Sequence, residues 1–348
     1  MIISENKEME AKFRASFQNG FFLCKELPLE VGQYLKFQGW LNENDSLVSL
    51  SIPGEGNMNY VLRAEFRESP SIILKQARPW VEKYPHFEAP TERGRVEKQF
   101  LEVVSVFEEV APYVPSLIGY DPQSNILALE DLKGAHDMMR IYFEDKSIAE
   151  EEISQVIEFA NRLSTVELDQ AFPENLDMRR LNHQHIFDLP FQADNGFGLD
   201  TIQPGLEELS KSLKLDETLK KKVKLLGDVY LAKGTQLLHG DLYPGSILTS
   251  SSNLYVIDPE FSFLGPKEWD IAVFIAHLIL AKTDPELVNN AIDNYEKPNG
   301  FDMLQFCGFI GVEIIRRLIG IAQLPLSLTL DEKEKLLVEA STLINRGF

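Results

Sequence analysis

The sequence predicts an α+β chain in two parts, a small antiparallel sheet with one helix over residues 1–131 and a larger, mainly helical part over 132–348. Three observations point there. Short runs with period-two alternation crowd the first part, 3.6-residue periodicity dominates the second, and one strand pair interrupts the helices.

After a helical N-terminal stretch, "SLVSLSIPGEGNMNYVLRAEF" reads as two alternating strands joined by a Gly-containing turn. "SIILKQA" is a further strand and "TERGRVEKQFLEVVSVFEEV" a helix. "SLIGYDPQSNILALEDL" supplies a second hairpin, turning at "DPQSN" and ending the first part near Asp131. Beyond Lys133 come "AEEEISQVIEFANRLSTVEL", a long helix around Asp216 to Lys233, "WDIAVFIAHLILA", "FCGFIGVEIIRRLIGIAQ" and a last helix from Asp331. The strand pair among them is "GSILTSSSNLYVIDPEF", turning at "SSSN".

Composition narrows the partners. A formal charge of −20 argues against nucleic acid or an anionic membrane, because both select basic surfaces. The most apolar window, "IAVFIAHLILA" from Ile271, is too short to span a bilayer. Cys24 and Cys307 stand far apart and suit a reducing, cytoplasmic setting, and "MIISENKEMEAKFR" lacks the apolar core of a secretory signal. His183 and His185 have no thiolate or third histidine nearby, which argues against zinc.

Four features stand in a suggestive order. Gly54 and Gly56 lie at a hairpin tip, where missing Cβ atoms let backbone N–H groups approach phosphate oxygens, although glycines there also serve the turn alone. Lys75 sits in the middle of an apolar strand, placed to meet α- and β-phosphates or simply to face solvent. Glu97 on the next helix is its candidate partner, with Glu92 as a rival. Asp241 in "HGDLYPGS" and Asp258 in "VIDPEF" flank the strand pair, as a general base and a metal ligand brought together by a hairpin would; Asp241 alone could also brace a turn.

In this order the motifs resemble the protein-kinase-like superfamily, with its Gly-rich loop, strand lysine, helix glutamate, catalytic-loop Asp and metal-binding Asp. His239, Gly240 and Asp241, followed after four residues by Ser246, are similar to the catalytic loop of the small-molecule branch, the aminoglycoside phosphotransferases and choline kinases. Only "PEFSFLGPKEW" separates Asp258 from Asp270, which leaves little room for a peptide-binding loop and favours a small hydroxylated acceptor.

A narrower resemblance is to the 5-methylthioribose kinase family, carried by "HGDLYPGS", "VIDPEFSFLGP", "LKQARPWV", "LEDL" and "GVEIIRRLIGIA". Tyr243 and Pro244 depart from that pattern, and "LNHQHIFDLPF" has no counterpart in it. The resemblance implies a bilobal protein-kinase-like fold, ATP and Mg2+ as cofactors, and transfer of the γ-phosphate to a hydroxyl of a sugar-like acceptor, 5-methylthioribose first. It also implies a homodimer as one possible assembly. An aminoglycoside- or choline-type acceptor stays as an alternative, as does a nucleotide-binding pseudokinase, which Ser246 invites.

The implied roles are specific. Asp241 is the catalytic base, while Gly54, Gly56, Asn57, Lys75, Glu97 and the hinge residues Glu130 and Leu132 bind nucleotide. Asp258, Glu260 and Ser246 hold metal, His239 and Asp270 support the catalytic loop, and Arg316 and Arg317 face the acceptor or the transferred phosphate. Plainer readings compete for three of these. Ser246 can simply hold its loop. Asp270 in "KEWDIAVF" is equally a helix N-cap. Arg316 and Arg317 can pair with Glu313, but satisfying both is expected to be harder than satisfying one, since helix neighbours diverge by about 100°.

Overall fold

Two compact units, Met1–Gly134 and Ala135–Phe348, make up the chain. The computed structural model describes residues 2–54, 58–143, 147–168, 170–250 and 253–347.

The first unit runs α1 (Ile2–Ser16), α2 (Pro28–Phe37), β1 (Leu47–Ser51), β2 (Tyr60–Phe66), β3 (Ile72–Gln76), β4 (Trp80–Val81), β5 (Tyr84–Glu88), α3 (Arg93–Val104), β6 (Leu117–Asp121) and β7 (Ile126–Glu130). Five strands form an antiparallel sheet in the order β1-β2-β3-β7-β6. In central β3, Ile72 and Leu74 join Leu23, Val31, Leu35, Leu62 and Ala128 in one apolar cluster. Period-two geometry turns Lys75 to the opposite face, where it meets α3. The β4–β5 hairpin was not expected from the sequence: every residue of β5 is exposed, so no alternation marked it. Trp80 at its base is fully buried, a packing residue.

The second unit runs β8 (His136–Asp137), α4 (Glu150–Ser164), α5 (Leu176–His183), α6 (Leu206–Lys214), α7 (Glu217–Leu231), β9 (Gln236–Leu238), β10 (Ile247–Thr249), β11 (Leu254–Val256), β12 (Phe263–Gly265), α8 (Trp269–Leu280), α9 (Pro285–Asn294), α10 (Met303–Ile319) and α11 (Leu330–Gly347). Three of these helices, α7, α9 and α10, start at an aspartate that caps them. The Asp216 carboxylate accepts from the N–H groups of Thr218 and Leu219, and Asp302 accepts from Leu304 and Gln305. α10 is apolar on nearly every side and therefore lies central, packed against α7, α8 and α11. α11 approaches so closely that a Cβ on Gly311 would sit 2.5 Å from the Ala340 carbonyl oxygen. Two short antiparallel ladders, β11-β10-β8 and β12-β9, present the loops between β9 and β12. No helix among the described residues is long and apolar enough to cross a membrane.

Candidate active site

In the first unit, Lys75 Nζ stands 2.9 Å from Glu97 Oε1 and 2.7 Å from Oε2, and both side chains are almost wholly buried. The rival Glu92 instead pairs with Arg95 at 2.7 Å. The hairpin glycine Gly54 has open space where a Cβ would be, while Gly56 and Asn57 lie outside the described residues. At the end of β7 the exposed Glu130 side chain accepts from Ser116 Oγ at 2.8 Å, Asp131 accepts from Arg63 and Ser71, and Leu132 is half-buried.

Arg93, at the start of α3 and fully buried, was missed by sequence reasoning. Its guanidinium donates to Asn59 Oδ1 (2.9 Å) and to the carbonyls of Pro90 (2.7 Å), Met58 (3.1 Å) and Arg78 (2.8 Å). One side chain thus ties the foot of the glycine hairpin to the end of the lysine strand.

In the second unit, the loop after β9 is held from three sides. The Asp270 carboxylate accepts from the backbone N–H of His239 (2.7 Å) and Gly240 (2.9 Å). It is the second residue of α8, so its oxygens serve the loop and not, as a cap would, its own helix. Burial pushes its carboxyl up to about 7 against the pull of those two donors. His239 is fully buried, with Nε2 2.8 Å from the Ile257 carbonyl oxygen and Nδ1 3.4 Å from the Asp241 N–H, the geometry of a brace. Gly240 adopts φ +90°, and a Cβ there would meet the Phe261 carbonyl oxygen at 2.2 Å. Ser246 Oγ donates to the Asp241 carbonyl (2.9 Å), closing the loop on itself.

The Ile257 N–H donates to the Ser246 carbonyl at 2.9 Å, so β10 and β11 carry the chain back beside the His239–Ser246 loop. Asp258 there adopts φ 63°, a left-handed conformation that side chains rarely take, and Glu260 follows it, buried. Asn175 fixes this turn by donating to the carbonyls of Glu260 and Ser262.

Asp241 itself faces α10. Its side chain is 18% exposed, and its Oδ1, itself buried, has no hydrogen-bond partner and lies 3.8 Å from Arg317 NH2. Burial raises the Asp241 carboxyl, and Arg316 and Arg317 oppose that rise. Both arginines also bond Glu313, Arg316 through NH1 (3.0 Å) and Arg317 through Nε (2.6 Å). One glutamate thus reaches both arginines, although Arg316 Nε, buried, is left without a hydrogen-bond partner, so satisfying the pair is harder than satisfying one, as expected. Residues i+3 and i+4 flank residue i at roughly −60° and +40°, so two guanidinium groups reach one carboxylate from either side.

Burial alone would raise Glu313, yet Arg316, Arg317 and His277 hold it well below the carboxylate range. Arg316 reaches further, to Asn182 Oδ1 at 3.4 Å, which brings the unmatched segment "LNHQHIFDLPF" to the cluster. That segment contains a π-helical turn over Gln184–Asp188. Tyr243, one departure from the family pattern, packs its ring between His277 (centroids 5.6 Å apart) and the Arg317 guanidinium (5.1 Å). His277 and its partner Tyr142 were not singled out in the sequence.

A profile of the phosphotransferase enzyme family, APH, matches residues 56–307. The chain belongs to this family. Similar proteins include methylthioribose kinases of Bacillus cereus (strain B4264), 28% identical over 337 residues, and of Bacillus mycoides (strain KBAB4), 28% identical over 342 residues, each match covering 83% of both chains. Among solved structures, choline kinase LicA from Streptococcus pneumoniae superposes with a TM-score of 0.52 at 15% identity, covering 91% of this chain and 99% of that one. A putative fructosamine-3-kinase from Thermobifida fusca reaches 0.53 at 15% identity, covering 93% and 100%. These neighbours show the protein-kinase-like fold. The phosphotransferase is a small-molecule kinase that uses ATP and acts on a hydroxyl group.

Proposed function

We propose that this phosphotransferase transfers the γ-phosphate of ATP, with Mg2+, to a hydroxyl of methylthioribose. The observation that carries the reading is the Arg317 guanidinium 3.8 Å from Asp241, with Arg316 beside it on α10. A fixed cationic pair next to the base suits a neutral sugar hydroxyl and a transferred phosphoryl group. It repels an ammonium-bearing acceptor, so a choline- or aminoglycoside-type acceptor is the weaker alternative. Similarity to methylthioribose kinases over 83% of both chains supports the same choice.

Asp241 accepts the acceptor's hydroxyl proton and aims its oxygen at the γ-phosphorus, since phosphoryl transfer needs positioning more than covalent help. In the first unit Lys75, held by Glu97, binds α- and β-phosphate oxygens, the backbone at Gly54 approaches phosphate, and the Glu130–Leu132 backbone receives the base. His239 and Asp270 keep the Asp241 loop in place.

Among the described residues no group of three or more His, Cys, Asp or Glu side chains could by itself hold a metal. That suits Mg2+, which takes one or two carboxylates and completes its shell with phosphate oxygens and water. Asp258 and Glu260 supply hard oxygens for it, and Ser246 still has lone pairs to offer. Mg2+, when bound, neutralises charge on the phosphates. The resemblance to the methylthioribose kinases puts a homodimer in this reading too, and sedimentation velocity measures it.

The test is ADP release from Mg2+-ATP with methylthioribose, choline and an aminoglycoside. Methylthioribose is expected to raise turnover saturably above hydrolysis by water. Asp241→Asn is expected to lower kcat by about 10³-fold. Stimulation by choline or the aminoglycoside alone would replace the acceptor, and an undiminished Asp241→Asn enzyme would remove the base.

A further inference from the structure

Behind the two arginines lies a buried chain of side chains that the phosphoryl-transfer reading leaves unused. His277, fully buried on α8, places Nε2 3.1 Å from Glu313 Oε1 and Nδ1 2.5 Å from the Tyr142 hydroxyl. A carboxylate only accepts, so Nε2 carries the hydrogen, and Nδ1 then accepts the Tyr142 O–H. The direction of every bond in the chain follows from that. Burial brings the His277 imidazole down to about 4, consistent with a neutral ring.

Glu313 Oε1 therefore receives His277 Nε2–H and Arg317 Nε–H together, while Arg316 NH1 donates to Oε2 (3.0 Å) and at greater length to Oε1 (3.3 Å). Arg317 NH2 is left 3.8 Å from Asp241 Oδ1, an oxygen with no hydrogen-bond partner. Unrestrained, a guanidinium and a carboxylate in such surroundings close to about 2.7–2.9 Å. Closure would occupy the lone pairs that an acceptor hydroxyl needs. What opposes it is chiefly the 2.6 Å bond from Nε to Glu313, whose carboxylate is itself oriented from behind by His277, with a longer 3.5 Å bond from NH1 to the Ala322 carbonyl beside it.

We infer that Tyr142 and His277 are positioning residues, which act through Glu313 to keep the Arg317 guanidinium beside Asp241 but off its carboxylate. The inference rests on Asp241 as the base. Neither residue touches a reacting atom; each orders the next donor in line.

The test compares His277→Leu, which removes the donor at similar size, with His277→Gln, whose amide can place an N–H near the Nε2 position, and with Tyr142→Phe. With Mg2+-ATP and methylthioribose, His277→Leu is expected to lose about 30-fold in kcat and Tyr142→Phe about 5-fold, while His277→Gln stays within about 3-fold of the unsubstituted protein. KM for ATP is expected to be unchanged in all three. Equal losses in the Leu and Gln variants, or a KM rise matching the kcat loss, would overturn the inference and leave a packing role.

If the unsubstituted protein does not phosphorylate methylthioribose, the acceptor assignment fails by itself, and crystal structures of the variants decide the positioning. Arg317 closed to hydrogen-bonding distance of Asp241 in the Leu variant, and held apart in the Gln variant, sustains it. Arg317 unmoved in the Leu variant overturns it. Should the Leu variant not fold, Tyr142→Phe carries the same comparison.

Discussion

Glu313 shows how much one residue can be made to hold. It is fully buried, and burial favours its neutral form, yet two guanidinium groups and an imidazole N–H keep it ionised. Its folded pKa lies below the ordinary glutamate value, so its contribution to stability is present above that value and lost as pH falls through the folded pKa. Glu313→Gln is therefore expected to cost about 3–5 kcal/mol in urea unfolding at pH 7, because two buried cations lose their counter-charge. The gap to the unsubstituted protein should narrow in melts taken well below pH 4; a constant gap would mean that Glu313 is not ionised in the fold. At this scale the sequence was partly legible. Asp241, Asp258 and Lys75 stood out because a charge interrupts an apolar strand or a tight turn. His277 did not, since a histidine inside "IAVFIAHLILA" fits a core helix as well as a network, and its partners Tyr142 and Glu313 lie 135 and 36 residues away. The arginine pair was visible, but that both arginines reach Glu313 depends on the angle each makes with it, which the angle between the arginines does not give.

α3 and the strands around it behave as a single clamp. Lys75 on β3 is fixed by Glu97, and the helix carrying Glu97 is fixed by Arg93, whose guanidinium donates to Asn59 and to the backbone carbonyls of Met58, Arg78, Trp80 and Pro90. Lysine cannot reproduce that planar fork. Arg93→Lys is expected to destabilise the protein by about 2–3 kcal/mol, since buried carbonyls lose their donors. With Lys75 in its proposed role, KM for ATP should rise more than KM for the acceptor, and a steady-state matrix in both substrates reads the difference. An equal change in both would confine Arg93 to stability. The elements that carry this clamp were legible, β3 from its short apolar run and α3 from a 3.6-residue period over its whole length. The β4–β5 hairpin and the π-helical turn at Gln184–Asp188 were not. An all-exposed strand has no apolar face to alternate, and a π turn differs from an α turn by one residue that tertiary packing selects.

For the whole molecule the formal charge of −20 sets the problem of admitting a nucleotide polyphosphate at all. Long-range repulsion is screened within about 8 Å at physiological ionic strength, so recognition must come from cations close to the phosphates. The proposed assignment gives each unit, taken by itself, buried cations for this, Lys75 in the first and Arg316 and Arg317 in the second. Hydrogen exchange distinguishes the two ligands accordingly. Mg2+ with a non-hydrolysable ATP analogue is expected to protect amides of β3 and α3 in the first unit and of residues 239–260 in the second. Methylthioribose alone should protect only second-unit amides, chiefly around Tyr142, Asn182 and Asp241–Ser246. At a hundredfold excess over Kd, binding adds about 2.7 kcal/mol to any opening that releases the ligand, roughly a hundredfold slowing of those amides. Acceptor protection in β1 to β3 with none near α10 would remove the arginine pair from the acceptor's surroundings. Protection by the nucleotide analogue in the second unit alone would take Lys75 out of phosphate binding and leave its pair with Glu97 a structural one.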